Sequence, residues 1–147
     1  MSPDGLALIG PLALAALHAS DWHVDAIGGL TLGADPVSYA IAYASAVAGT
    51  PLRAFTVRKA AKAHGTGRLI EGPFREGDRV AVIEDVITTG GSALRAAQAI
   101  RAAGGIPAGV LALVDREEGG REALEGAGLP VLTLARASEI MARLPTA

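Results

Sequence analysis

The sequence contains no cysteine, which excludes disulfides, thiolate nucleophiles and zinc–thiolate sites and leaves the redox compartment open. It also lacks a charge excess: the net charge of -2 gives no general pull toward nucleic acid or an anionic membrane, so any phosphate binding must come from local placement of charge. Residues 1–5 carry no basic leader, and the apolar run at 5–17 is too short to span a bilayer, so a cytoplasmic protein is expected. Two phosphate signatures are missing as well. There is no G-x-G-x-x-G for a dinucleotide and no P-loop lysine. No internal repeat or low-complexity tail is present. What remains is 147 residues, 50% hydrophobic and 19% charged, the profile of a single globular domain over 1–147.

Apolar periodicity alternates along the chain. Helices are predicted at 3–20 (interrupted or restarted at Pro11), 35–48 (Asp35 as N-cap, Pro36 in the first turn), 93–103, 118–127 and 138–143 (Ser138 as cap). Strands are predicted at 24–27, 52–57, 79–83, 108–114 and 131–134. This gives an α/β fold with a mainly parallel five-stranded sheet and helices on both faces. Ligands of such sheets bind beyond the carboxyl ends of the strands. The polar segments 28–33, 58–64, 84–92 and 115–120 all fall at that edge.

The most informative stretch is 80–92, which changes character three times. An apolar strand leads to adjacent carboxylates, Glu84 and Asp85, then to Val86 and Ile87, then to the small polar turn Thr88, Thr89, Gly90, Gly91 and Ser92. A helix starting at Gly91 or Ser92 aims free N–H groups and its positive dipole end at that turn, which makes an anion site. The hydroxyls add donors, and the glycines let the backbone approach closely. Two acids beside a phosphate cradle repel the ligand unless it also brings hydroxyls or a metal. A ribose 5-phosphate brings diol donors for the acids and a phosphate for the turn. Taken alone, the stretch also fits an ordinary strand, turn and helix with Ser92 as N-cap.

This pattern resembles the phosphoribosyl pyrophosphate (PRPP) motif of type I phosphoribosyltransferases, matched over thirteen residues. A second segment extends the resemblance. Residues 58–77 form a long connection, read as a flexible catalytic loop or lid. It holds the only two lysines of a chain that carries eleven arginines, Lys59 and Lys62. A compact ammonium on a flexible stem can follow a moving polyphosphate, although such a cluster alone can equally be a solvated basic loop. The run of Arg58, Lys59, Lys62, His64 and Gly65 is similar to the lid of orotate phosphoribosyltransferases, with Ala60 where that family usually has Glu. Asp115, Arg116, Gly119 and Gly120 match the family's Asp-Arg-x-x-Gly-Gly element, which on its own reads as a surface pair before a helix.

The resemblance implies transfer of the phosphoribosyl group from PRPP to orotate, as in pyrimidine biosynthesis. It assigns Lys59, Lys62, His64, Glu84 and Asp85 to catalysis, and Arg58, Lys59, Lys62 and His64 with 84–92 to PRPP binding. Thr88 and Arg116 would meet orotate, the guanidinium forking onto its carboxylate. Mg²⁺ would arrive on PRPP rather than be held directly by the protein. A homodimer is implied, with Arg58 and Lys62 reaching the neighbouring site. Some relatives carry an aromatic and a Lys at the positions of Thr31 and Leu32, so pyrophosphate contacts from 28–33 would be backbone ones here. The match runs over about residues 20 to 120 and does not extend to the family's N-terminal hood; with Phe55 and Phe74 the only phenylalanines, no substitute for its aromatic contacts is evident. A phosphoribosyltransferase for another base, or a non-catalytic PRPP-binding regulator, remains an alternative at this level.

Overall fold

The computed structural model describes residues 1–60 and 69–145. In chain order the elements are α1 (Pro3–Ala19), β1 (Ala26–Leu30), α2 (Ala34–Val47), β2 (Arg53–Val57), β3 (Ile70–Glu71), β4 (Arg79–Ile87), α3 (Gly91–Ala102), β5 (Ile106–Asp115), α4 (Gly120–Gly126), β6 (Val131–Arg136) and α5 (Ala137–Met141). The strands form one sheet in the order β3-β2-β1-β4-β5-β6. All neighbours are parallel except the β2–β3 pair.

Strand alternation divides the core in two. Along β4, Val80 and Val82 face a cluster with Ala96 and Ile100 of α3 and Leu124 of α4. Ala81 and Ile83 face the opposite cluster, with Leu17 of α1 and Val37 and Ile41 of α2. A parallel sheet covered on both faces needs such continuous apolar strands, and residues 80–83 are fully buried.

The parallel α/β sheet with two helical layers is as expected, but it has six strands rather than five. The additional strand is β3, whose Ile70 and Glu71 pair with Val57 and Thr56. Two residues are too few to produce a readable period, so the return of the 58–77 segment to the sheet leaves no signature in composition. Helix α1 runs unbroken through Pro11. Both Pro11 and Ala7, whose carbonyl loses its helical donor, are exposed, so water can replace the missing bond.

The order of the sheet also places the site. From β1 the chain steps outward to β2, then crosses to the other side of β1 to form β4. Ligand crevices of open α/β sheets open at such a reversal. The loops leaving β1 and β4 border it.

Candidate active site

Strand β4 runs four residues further than the sequence pattern indicates, through Glu84 and Asp85 to Ile87. Both acids therefore sit on a rigid strand, with Glu84 opposite Ala112 of β5. The pleat sends them to opposite faces. Asp85 abuts the loop after β1: a β-carbon on Gly33 would lie 2.7 Å from its Oδ2. Asp85 Oδ1 accepts from its neighbour's N–H, Val86 N, at 2.8 Å. Glu84 points toward α3 and is only 8% exposed. Burial, followed by the hydrogen bond and charge of Asp85, pushes its carboxyl up to about 7, against a weaker opposite pull from Arg95.

The turn that follows leads directly into α3. Gly90 holds the N-cap position at φ 81°, and no side chain caps the helix. Ser92 lies inside the first turn rather than capping it, so the leading N–H groups of α3 stay open toward the turn formed by Thr88, Thr89 and Gly90. With the dipole behind them they suit an anion.

The β5–α4 loop packs on this turn. Arg116 N donates to Ile87 O at 3.0 Å. Asp115, just before it, is 3% exposed. Burial pushes Asp115 upward, but the N–H of Glu117 at 2.8 Å and the guanidinium of Arg121 at 2.9 Å outweigh it and hold the carboxyl below its ordinary value. Arg121 also reaches Val131 O at 3.0 Å and Thr133 Oγ1 at 2.9 Å, joining β5, α4 and β6. Glu117 has φ 61° and accepts from Ser138 N and Oγ at 2.8 and 3.1 Å. The guanidinium of Arg116 is half-exposed and pairs with Glu118 at 2.7 Å.

On the β1–β2 side, Thr31 N donates to Val57 O at 2.8 Å, and the Thr31–Leu32 peptide is cis. Arg58 leaves β2 with its backbone N–H on Leu69 O at 2.7 Å and its guanidinium on Glu71 at 2.8 Å. Lys59 is exposed. Lys62 and His64 lie outside the described residues. Among the described candidates, Glu84, Asp85 and the 88–92 turn follow one another along the end of β4, the Arg116 loop is tied to it at Ile87 O, and Arg58 and Lys59 emerge at the same sheet edge. Sequence reasoning missed Asp35, which it read only as a helix cap. The carboxylate instead accepts from Thr31 Oγ1 at 2.7 Å and from Thr56 Oγ1 at 2.9 Å. A Thr at an alternating strand position carried no signal of that contact.

No family model matches the chain. The orotate phosphoribosyltransferase of Aquifex aeolicus is 50% identical over 139 residues, covering 95% of this chain and 75% of its own length. That of Streptomyces avermitilis is 54% identical over 130 residues, 86% of this chain and 70% of its own. The crystal structure of Mycobacterium tuberculosis orotate phosphoribosyltransferase with PRPP superposes with a TM-score of 0.81 at 44% identity, covering 92% of this chain and 75% of that one. The same enzyme with Fe(III) dicitrate gives a TM-score of 0.86 at 46% identity, over 95% and 77%. With half of its residues identical across three quarters of a relative's length, and backbones that superpose at a TM-score of 0.81 to 0.86, the chain belongs to the orotate phosphoribosyltransferase family.

Proposed function

We propose that the chain, as one phosphoribosyltransferase domain, transfers the phosphoribosyl group of PRPP to orotate, forming orotidine 5′-monophosphate and pyrophosphate. The observation that carries this reading is the acid pair Glu84 and Asp85 on a strand end that runs straight into an uncapped helix N-terminus. That arrangement fits a ribose 5-phosphate: hydroxyls on the acids, phosphate in the 88–92 turn. No protein nucleophile is required. The C1–pyrophosphate bond breaks as N1 of orotate bonds to C1; the electron pair of the broken bond leaves on pyrophosphate, and the N1 proton of orotate passes to pyrophosphate or solvent.

The residues then act by charge placement. Glu84 and Asp85 orient the ribose diol and offset the positive charge developing at the ring. Lys59, Lys62, His64 and Arg58 stabilise the departing pyrophosphate. Thr88 touches the base, and Arg116 selects its carboxylate through a two-point fork. Closure of the basic loop excludes water as a competing nucleophile. In this reading Mg²⁺ arrives on the substrate's own oxygens rather than being held directly by the protein. Bound that way, Mg²⁺ supplies charge neutralisation on the pyrophosphate.

The working unit we propose is a homodimer in the cytoplasm, with Arg58 and Lys62 serving the neighbouring site. Supporting the dimer, the outer face of α1 and α2 exposes Leu8, Leu12, Tyr39, Tyr43 and Val47. A groove of about 960 Å³ runs between those helices on the same side of the sheet as Asp85. A second copy of the chain is the occupant this face fits. The reaction is tested by following loss of orotate absorbance with PRPP and Mg²⁺, with uracil and hypoxanthine as control bases. Turnover confined to orotate supports the reading. Turnover confined to another base refutes it.

A further inference from the structure

Asp35 stands in the first turn of α2 but does not cap it. Gly33 holds the cap position, and the Asp35 backbone N–H donates to Leu32 O at 3.2 Å. Both carboxylate oxygens are instead used across elements, on Thr31 Oγ1 of the β1–α2 loop at 2.7 Å and on Thr56 Oγ1 of β2 at 2.9 Å. A hydroxyl has one proton to donate. Thr56 gives its proton to Asp35, so the contact between Tyr39 Oη and Thr56 Oγ1 at 3.1 Å must run from the tyrosine. The result is a directed chain, Tyr39 to Thr56 to Asp35, met from the other side by Thr31.

We infer that Asp35 is a positioning residue for the pyrophosphate half of the site, holding the Thr31–Gly33 loop and the β2 exit toward Arg58 and Lys59 in one fixed register. The inference rests on the phosphoribosyl-transfer reading. Its physical basis is the joint use of one carboxylate by two segments that are far apart in sequence and adjacent at the sheet edge. Thr31 precedes the loop that lies against Asp85, and Thr56 is two residues before Arg58. A carboxylate beside a polyphosphate repels it unless donors hold the charge away, and here two hydroxyls do so. Without Asp35, Thr31 and Thr56 lose their common acceptor and the two segments can drift apart. Displacements of about an ångström in groups that orient a substrate can reduce turnover on the order of a hundredfold. Arg116 lies across β1 and β4 from this cluster, so binding of the base does not depend on it.

The test uses the full chain with Asp35→Ala, and with Thr31→Val and Thr56→Val, which remove one hydroxyl each while keeping side-chain shape. Expected for Asp35→Ala is a fall of about tenfold or more in kcat/KM for PRPP, with KM for orotate within about twofold of wild type. Each valine variant produces part of that loss, and neither adds to it in the Asp35→Ala background, because all three remove the same network. Should Asp35→Ala fail to fold, Thr56→Val carries the test on its own. Parallel changes in the PRPP and orotate constants, additive losses, or a lowered melting temperature with unchanged kinetics overturn the inference. If wild-type protein binds PRPP but transfers nothing to orotate, the functional reading fails by itself. PRPP affinity by calorimetry then still decides on Asp35: weaker binding in the variants supports its role, and unchanged binding refutes it.

Discussion

Gly120 at the start of α4 sits on the backbone of the proposed phosphate turn: a β-carbon there would lie 2.4 Å from Thr88 O and 2.9 Å from Gly90 N. These two obstacles are main-chain atoms and a third is Ile87 Cγ2 at 2.5 Å, so rotation of a side chain alone cannot relieve the clash. Gly120→Ala must therefore push the turn or α4 aside, at about 1 to 3 kcal/mol of stability. Because the displaced atoms belong to the phosphate cradle, KM for PRPP should rise about tenfold or more in a protein that still folds. Thermal melts and steady-state kinetics together check this, and an unchanged PRPP constant would place the phosphate elsewhere.

Lys59 and Lys62 are assigned to the leaving group, so their loss should appear in turnover rather than in binding. Replacing either with Ala is expected to lower kcat about a hundredfold, the usual effect of removing one stabilising donor, with PRPP affinity within about threefold. Calorimetry beside kinetics separates the two quantities. A loss of affinity as large as the loss of kcat contradicts the role. The proposed dimer adds its own readout, because mixing Lys62→Ala with Asp85→Asn protomers should rebuild one intact composite site in each mixed dimer. Absence of recovered activity contradicts the crossing of Lys62.

Arg116 pairs with Glu118 at 2.7 Å with both side chains about half exposed. An exposed pair of this kind contributes no more than about 1 kcal/mol, so a substrate carboxylate can displace it. Arg116→Ala should cost roughly 2 to 4 kcal/mol in discrimination for orotate over uracil. Arg116→Lys should not restore it, since a point charge cannot form the two-point fork. An unchanged KM for orotate in Arg116→Ala would remove the residue from the base site.

Glu84 gives the protein a pH signature. Its carboxyl rises from an ordinary value of 4.5 to about 7 on folding, mainly through burial. Between those values the folded state holds a proton that the unfolded chain has released. Stability therefore falls as pH rises through that window and is level above it. Glu84→Gln should abolish the slope and make the protein more stable than wild type at pH 8 by up to roughly 3 kcal/mol. Denaturant titrations at pH 5 and 8 measure it. In binding, the ribose diol donates to the ionised carboxylate, so PRPP affinity of the wild type should weaken below about pH 7 more steeply than that of Glu84→Gln. Identical profiles for the two proteins would contradict the placement of the diol on Glu84.

The parts of the site legible in the sequence are those whose chemistry is local. Glu84 and Asp85 stood out because paired acids at the end of an apolar run are unusual, and the 88–92 turn because hydroxyls and glycines precede a helical period. The exact end of β4 was not legible, since Val86 and Ile87 continue the strand with no break in apolar character. The hidden elements depend on partners far away in the chain. Strand β3 exists because Ile70 and Glu71 meet β2. The function of Asp35 is decided by Thr56, twenty-one positions later. Arg121, in the predicted 118–127 helix, is not singled out by the sequence because its partners Asp115, Val131 and Thr133 come together only in the fold.

The most direct measurement is quantitation of products from PRPP and Mg²⁺ with orotate, uracil or hypoxanthine supplied separately. The account predicts orotidine 5′-monophosphate and pyrophosphate in equal amounts with orotate, and neither a nucleotide nor pyrophosphate above background with the other two bases. Nucleotide formation from uracil or hypoxanthine in preference to orotate, or PRPP binding with no pyrophosphate released under any condition, would contradict it.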